Sequence, residues 1–146
     1  MQVFDIFGTG PISDIKPNIN MVDYVVNEEK RTVTAILCGT RDGARDLLRK
    51  MYNGQAPYAY GDAEVLIALE LPNKFVATAR CAEGDTFDVE VGKKLAKKKL
   101  LTKYDRARTK AWYRYRDIME KRMDAAMRAI KKYYSDAVRD EDKTTR

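Results

Sequence analysis

The 146-residue chain contains no histidine. That removes the Ser-His-Asp and Cys-His arrangements, the commonest zinc ligand and the side chain best suited to proton transfer near neutral pH. Chemistry by carboxylates or lysine stays open, but the balance favours a non-enzymatic protein with no cofactor and no metal. Cysteine is nearly as scarce: Cys38 and Cys81 form no CxxC pair, and no second pair exists to complete a zinc site. No signal peptide and no long apolar run are present, so the expectation is a cytoplasmic protein with no membrane partner, its two thiols reduced and buried. Proline ends at Pro72 and glycine at Gly92, and nothing beyond Gly92 forces a break in the backbone.

What is present is enough for a core. Hydrophobic residues make up 45% of the chain and aromatic residues 10%, which suits one ordinary domain or a small domain with an appendage. The net charge of +6 conceals an asymmetry. Residues 1–90 hold nine bases and fourteen acids, a net of −5, whereas residues 91–146 hold nineteen bases and eight acids, a net of +11. The division implied is an α+β body over 1–90 and a C-terminal helical extension over 91–146. A basic end on a mildly acidic body suits an acidic partner: nucleic acid, an anionic surface or an acidic protein face.

In the body, Gln2–Phe7 reads as a short strand followed by an irregular loop, in which Gly8-Thr-Gly10 is a turn lacking the remainder of a dinucleotide fingerprint. MVDYVV (21–26) and RTVTAILC (31–38) read as a hairpin around Asn27–Lys30. Leu47, Leu48 and Met51 have helical spacing, with Thr40 or Asp42 as cap and Gly54 as stop. The preceding Gly39–Gly43 segment lacks the Gly-Lys-Ser/Thr ending of a phosphate loop. AEVLIALEL (63–71) and KFVATARC (74–81) flank Pro72-Asn73 and read as a second hairpin, with Phe75, Ala77, Ala79 and Cys81 on one face. The fold expected is α+β: a small, mostly antiparallel sheet with one inserted helix, followed by a long basic C-terminal helix or helical hairpin.

The stretch CAEGDTFDVEVGKKLAKKK (81–99) reverses sign at Gly92. Its acids suit a helix N-terminus, with Asp85 as the best cap and Asp88 and Glu90 in the first turns. Glu83, Asp85, Asp88 and Glu90 do not follow the order of a calcium loop, so capping is preferred to metal binding. The five lysines that follow exceed what compensation of the helix dipole requires. From about Phe87 to Val138 the sequence consists almost wholly of helix formers, and a break or bend is expected at Thr102–Asp105.

At 100° per residue, Trp112, Tyr115, Met119, Met123, Ala126, Ile130, Tyr133, Tyr134 and Ala137 form one apolar stripe, expected to pack on the sheet or on a partner helix. Lys99, Lys103, Lys110, Arg114, Lys121, Arg128 and Lys132 line the opposite side, interrupted by Asp117 and Asp124. Cations one or two turns apart on one face can follow a phosphate backbone without reading sequence. Tyr104 or Tyr113 would then be available to stack on an unpaired base.

The pattern from Ala79 and Cys81 through Asp85, Phe87 and Asp88 to Gly92, Leu95, Ala96 and Lys99 resembles small phage and prophage proteins of Gram-positive and gut bacteria. The resemblance covers about residues 75–99. It implies a mobile-element origin, a bacterial host cytoplasm and action by binding a host machine, inhibitors of CRISPR effectors being one such class. The leading reading is a non-enzymatic protein whose basic helix engages nucleic acid or a nucleoprotein complex, such as a Cas effector with its guide RNA. The alternative is an assembly protein that forms a homo-oligomer through the apolar stripe, with Trp112, Tyr115, Met119 and Met123 at the interface. A carboxylate- or metal-dependent enzyme using Asp85, Asp88 and Glu90 is the third.

Overall fold

The computed structural model describes residues 21–51 and 62–144; the expected strand at Gln2–Phe7 and the helix stop at Gly54 lie outside them. Strand β1 (Asp23–Asn27) and strand β2 (Thr32–Cys38) form the first hairpin as expected. The Asn27 side chain accepts from the Lys30 amide and Arg31 adopts a left-handed φ of 53°, which closes the four-residue turn. Helix α1 (Asp46–Met51) follows, then helix α2 (Ala63–Ala68), then strand β3 (Lys74–Arg80) and helix α3 (Val89–Thr144). Among the described residues the sheet is antiparallel, in the order β1-β2-β3, which leaves β3 at its edge.

Residues 63–71 do not form a strand. Asp62 accepts a hydrogen bond from the Val65 amide and starts α2, whose Val65 and Ala68 turn into the core. β3 therefore pairs with β2 alone, in the register Val33 to Ala79, Ala35 to Ala77 and Leu37 to Phe75. These six residues share one face, and all but the half-buried Ala77 are fully buried. On the other face the Thr34 and Thr78 hydroxyls meet at 2.9 Å.

Helix α3 covers the apolar face. Asp88, rather than Asp85, is its cap: the Asp88 carboxylate accepts from the Glu90 and Val91 amides. Ala96, Leu100, Tyr104, Ala111 and Tyr115 are its buried positions, and small residues bring it close to the sheet. A Cβ on Gly92 would stand 2.6 Å from a methyl of Val33. The Tyr104 ring meets Phe75 edge-on at 5.4 Å.

No break occurs at Thr102–Asp105, and the helix runs unbroken for 56 residues. Thr102 bonds back to the Lys98 carbonyl and Asp105 pairs with Arg108, so the polar cluster is satisfied within the helix. Its apolar contacts with the described body end near Met119, and its last ion pairs with the body are those of Arg122. Beyond Met119, 25 residues extend about 37 Å at 1.5 Å per residue with an almost fully exposed surface.

The cysteines are free but not buried: Cys38 is exposed and Cys81 half-buried. They sit at opposite ends of the β2–β3 ladder, because Cys38 faces Lys74 while Cys81 follows Arg80, the partner of Thr32. The ends of short antiparallel strands fall at the rim of the sheet, which is why an apolar-looking strand terminus did not place a thiol inside.

Candidate nucleic-acid interface

Between the outer edge of β3 and α3 runs a groove of about 840 Å³. Phe75, Ala77, Leu95 and Ala107 supply its apolar floor. Lys98, Lys99, Lys103, Arg106 and Lys110 supply five cationic side chains, and among the described residues no carboxylate lines it. Four of these cations, at 99, 103, 106 and 110, stand at intervals of four, three and four residues, which places them on one helical face over about 16 Å. A concave strip of one charge sign with an apolar wall concentrates anions more strongly than the same charges on a convex surface.

Two of the cations also serve the sheet. The Lys99 ammonium donates to the Thr78 carbonyl at 3.3 Å and that of Lys103 to the Val76 carbonyl at 2.9 Å. Val76 and Thr78 are two apart, so their carbonyls point the same way, towards the side of β3 that no described strand covers. Lysines along an unpaired edge discourage the addition of another strand. Because carbonyls are neutral, both ammonium groups keep their full charge at the groove.

The other members of the expected basic line part company. Arg114 turns away to donate to the carbonyls of Ala68 at 2.9 Å and Glu70 at 3.5 Å, where it satisfies the C-terminal end of α2. Two turns on, Arg122 closes the opposite end of α2 through Asp62 and Glu64, at 2.5 and 3.1 Å. The guanidinium holds the Asp62 carboxyl below its ordinary pKa, and the paired carboxylates raise that of Arg122. Lys121, Arg128 and Lys132 lie exposed on the free part of α3, separated from the groove by Arg114 and Asp117. The structure thus brings together Lys99, Lys103 and Lys110, adds Lys98 and Arg106, and leaves the remainder on a separate surface.

The stripe divides in the same way. Tyr115 is buried, and the Trp112 indole donates to the Ala44 carbonyl at 3.0 Å while packing on Tyr115. Met119 packs partly against the core, whereas Met123 is 64% exposed. Trp112 and Tyr115 are thus engaged inside the fold rather than presented to a partner. Tyr104 is buried and unable to stack on a base, and burial raises the pKa of its phenol. Tyr113 is exposed, with the Arg116 guanidinium over its ring.

The acids at 83–90 act locally. Asp88 caps α3, Glu90 lies 3.6 Å from Lys93, and the Asp85 carbonyl accepts from Arg31. Among the described residues no three His, Cys, Asp or Glu side chains group as they would around a metal ion. Also among them, no helix is long and apolar enough to cross a membrane.

Fold and groove define a class: a small α+β domain whose antiparallel sheet is covered on one face by a helix that continues far beyond the core. Comparison with protein-family models, curated proteins and solved structures returned no match.

Proposed function

We propose that the protein is a non-enzymatic nucleic-acid-binding protein that holds a phosphate backbone in the groove between β3 and α3. The observation that carries this reading is the lining of that groove, five cations and no carboxylate among the described residues, over an apolar floor. Binding through phosphates gives affinity without base readout and a steep dependence on salt. The likeness of residues 75–99 to phage proteins extends the proposal to a setting: occupation of nucleic acid, or of a nuclease bound to its guide RNA, on behalf of a mobile element.

Fluorescence anisotropy with labelled single- and double-stranded DNA and RNA, titrated at 50 and 300 mM salt, tests it. Binding is expected at the lower salt and is largely lost at the higher. Replacing Lys98, Arg106 and Lys110 together by glutamine leaves the caps on β3 in place and should lower the salt slope by about 2 to 3. Absence of binding at 50 mM to every nucleic acid and to a nuclease–guide complex overturns the proposal.

A further inference from the structure

Beyond Met119, α3 carries an apolar seam that no other described residue covers. Met123, Ala126, Ile130, Tyr133 and Ala137 recur at intervals of three, four, three and four residues, the spacing of a two-stranded coiled coil. Met123, Ile130 and Tyr133 are 64%, 58% and 69% exposed. Trp112, Tyr115 and Met119 continue the same stripe towards the N-terminus and pack on the body, whereas from Met123 onward the seam has run clear of the described core.

The charges of the same segment indicate what covers it. Residues 120–132 hold five bases and two acids, while residues 133–144 hold four acids and two bases. A parallel pair would set like against like, whereas an antiparallel pair sets the acidic end of each copy beside the basic part of the other. It also opposes the two helix dipoles. Antiparallel helices pair each first-position seam residue with a fourth-position one, which centres the two-fold axis on Arg128. Met123 of one copy then faces Tyr133 of the other, and Ala126 faces Ile130, large against small at the centre.

The same register carries the last two turns of each helix past residues 112–116 of the other copy. There the seam runs into an open depression of about 480 Å³ lined by Leu47, Arg108, Trp112 and Arg116 among others. Asp140 of the second copy arrives beside Arg116. At about 80 Å² for each of about eight side chains per copy, the contact buries on the order of 1,200 Å², the foot of the range for specific interfaces.

We propose that the free part of α3 forms an antiparallel coiled coil with a second copy of the chain, centred on Arg128, with its acidic C-terminal turns seated in the depression beside Arg116. This proposal is independent of the nucleic-acid reading. Light scattering coupled to size exclusion, from about 1 to 100 µM, should show a dimer of the 16.8 kDa chain. Replacing Met123 and Ile130 by glutamate should give a monomer that still unfolds in one cooperative transition in denaturant, which shows that the body is folded. Register is read by cross-linking in a background with Cys38 and Cys81 replaced by serine. Chains carrying Met123→Cys and Tyr133→Cys, with tags of different length, should form disulfides when mixed and not when oxidised separately. A monomer at 100 µM, a trimer or larger species, or disulfides within either single variant overturns the proposal.

Discussion

Residues 89–119 and residues 120–144 belong to one uninterrupted helix, yet they are held by different means. In the first part, Ala96, Leu100, Tyr104, Ala111 and Tyr115 are buried against the sheet and α1. In the second, Met123, Ile130, Tyr133 and Tyr134 are more than half exposed. Most helical stability in proteins comes from packing of an apolar face, so the free part depends on its attachment to a formed helix and on what covers its seam. Helix propensity shapes both parts; packing stabilises only one.

The sharpest test of that contrast places the same kind of truncation in each part. Leu100→Ala should destabilise the fold by about 3 to 5 kcal/mol in denaturant titration, through lost burial and the cavity left behind. Ile130→Ala, measured at concentrations too low for association, should change it by less than about 0.5 kcal/mol. Amide exchange should follow the same division, slow around Leu100 and fast around Ile130. Equal costs at the two positions would remove the distinction.

A smaller effect is expected where α3 presses on the α1 turn. A Cβ at Gly43 would stand 2.0 Å from the Tyr104 hydroxyl, so Gly43→Ala should cost about 1 to 3 kcal/mol. Adding Tyr104→Phe removes the oxygen and should recover at least about 0.5 kcal/mol, a coupling that two independent sites would not show.

The smallest effect concerns the tie between the free part of α3 and the body. Because Arg122 lowers the pKa of Asp62 in the folded state, the contribution of that carboxylate is full above its ordinary value of 3.8. It fades as the pH falls through the lower, folded value. Asp62→Asn keeps the acceptor for the Val65 amide but loses the charge. The stability difference between parent and variant should therefore be constant near neutrality and close as the pH falls below 3.8. A gap that persists into acid would assign the tie to hydrogen bonding alone.

Much of this fold is legible in residue order. Alternation at Phe75, Ala77 and Ala79 marks the covered face of β3, and the β1–β2 hairpin follows from β-branched runs around Asn27–Lys30. The run Ala63–Leu71 misleads because its apolar residues are nearly continuous, a pattern that cannot separate a buried strand from a short helix. Asp62, three residues before Val65, was the available sign of a helix start. Thr102–Asp105 misleads in the opposite sense, since capping residues end a helix only when their side chains find no partner within it.

The groove was half legible. The helical periodicity that aligns Lys99, Lys103 and Lys110 is local and can be counted. That β3 lies at the edge of the sheet depends on strand order, which is non-local, and Arg106 joins the lining only because that edge is open. Arg114 has the same spacing but meets the end of α2, a segment whose residue order resembles a strand.

The caps on β3 have a consequence of their own. The ammonium groups of Lys99 and Lys103 that shield the Thr78 and Val76 carbonyls are the groups any incoming anion would attract. Whatever draws them into the groove bares two acceptors on the rim of the sheet, and whatever seals that rim restrains them. Occupancy and exposure are thereby linked, and guest and guard compete for the same two hands.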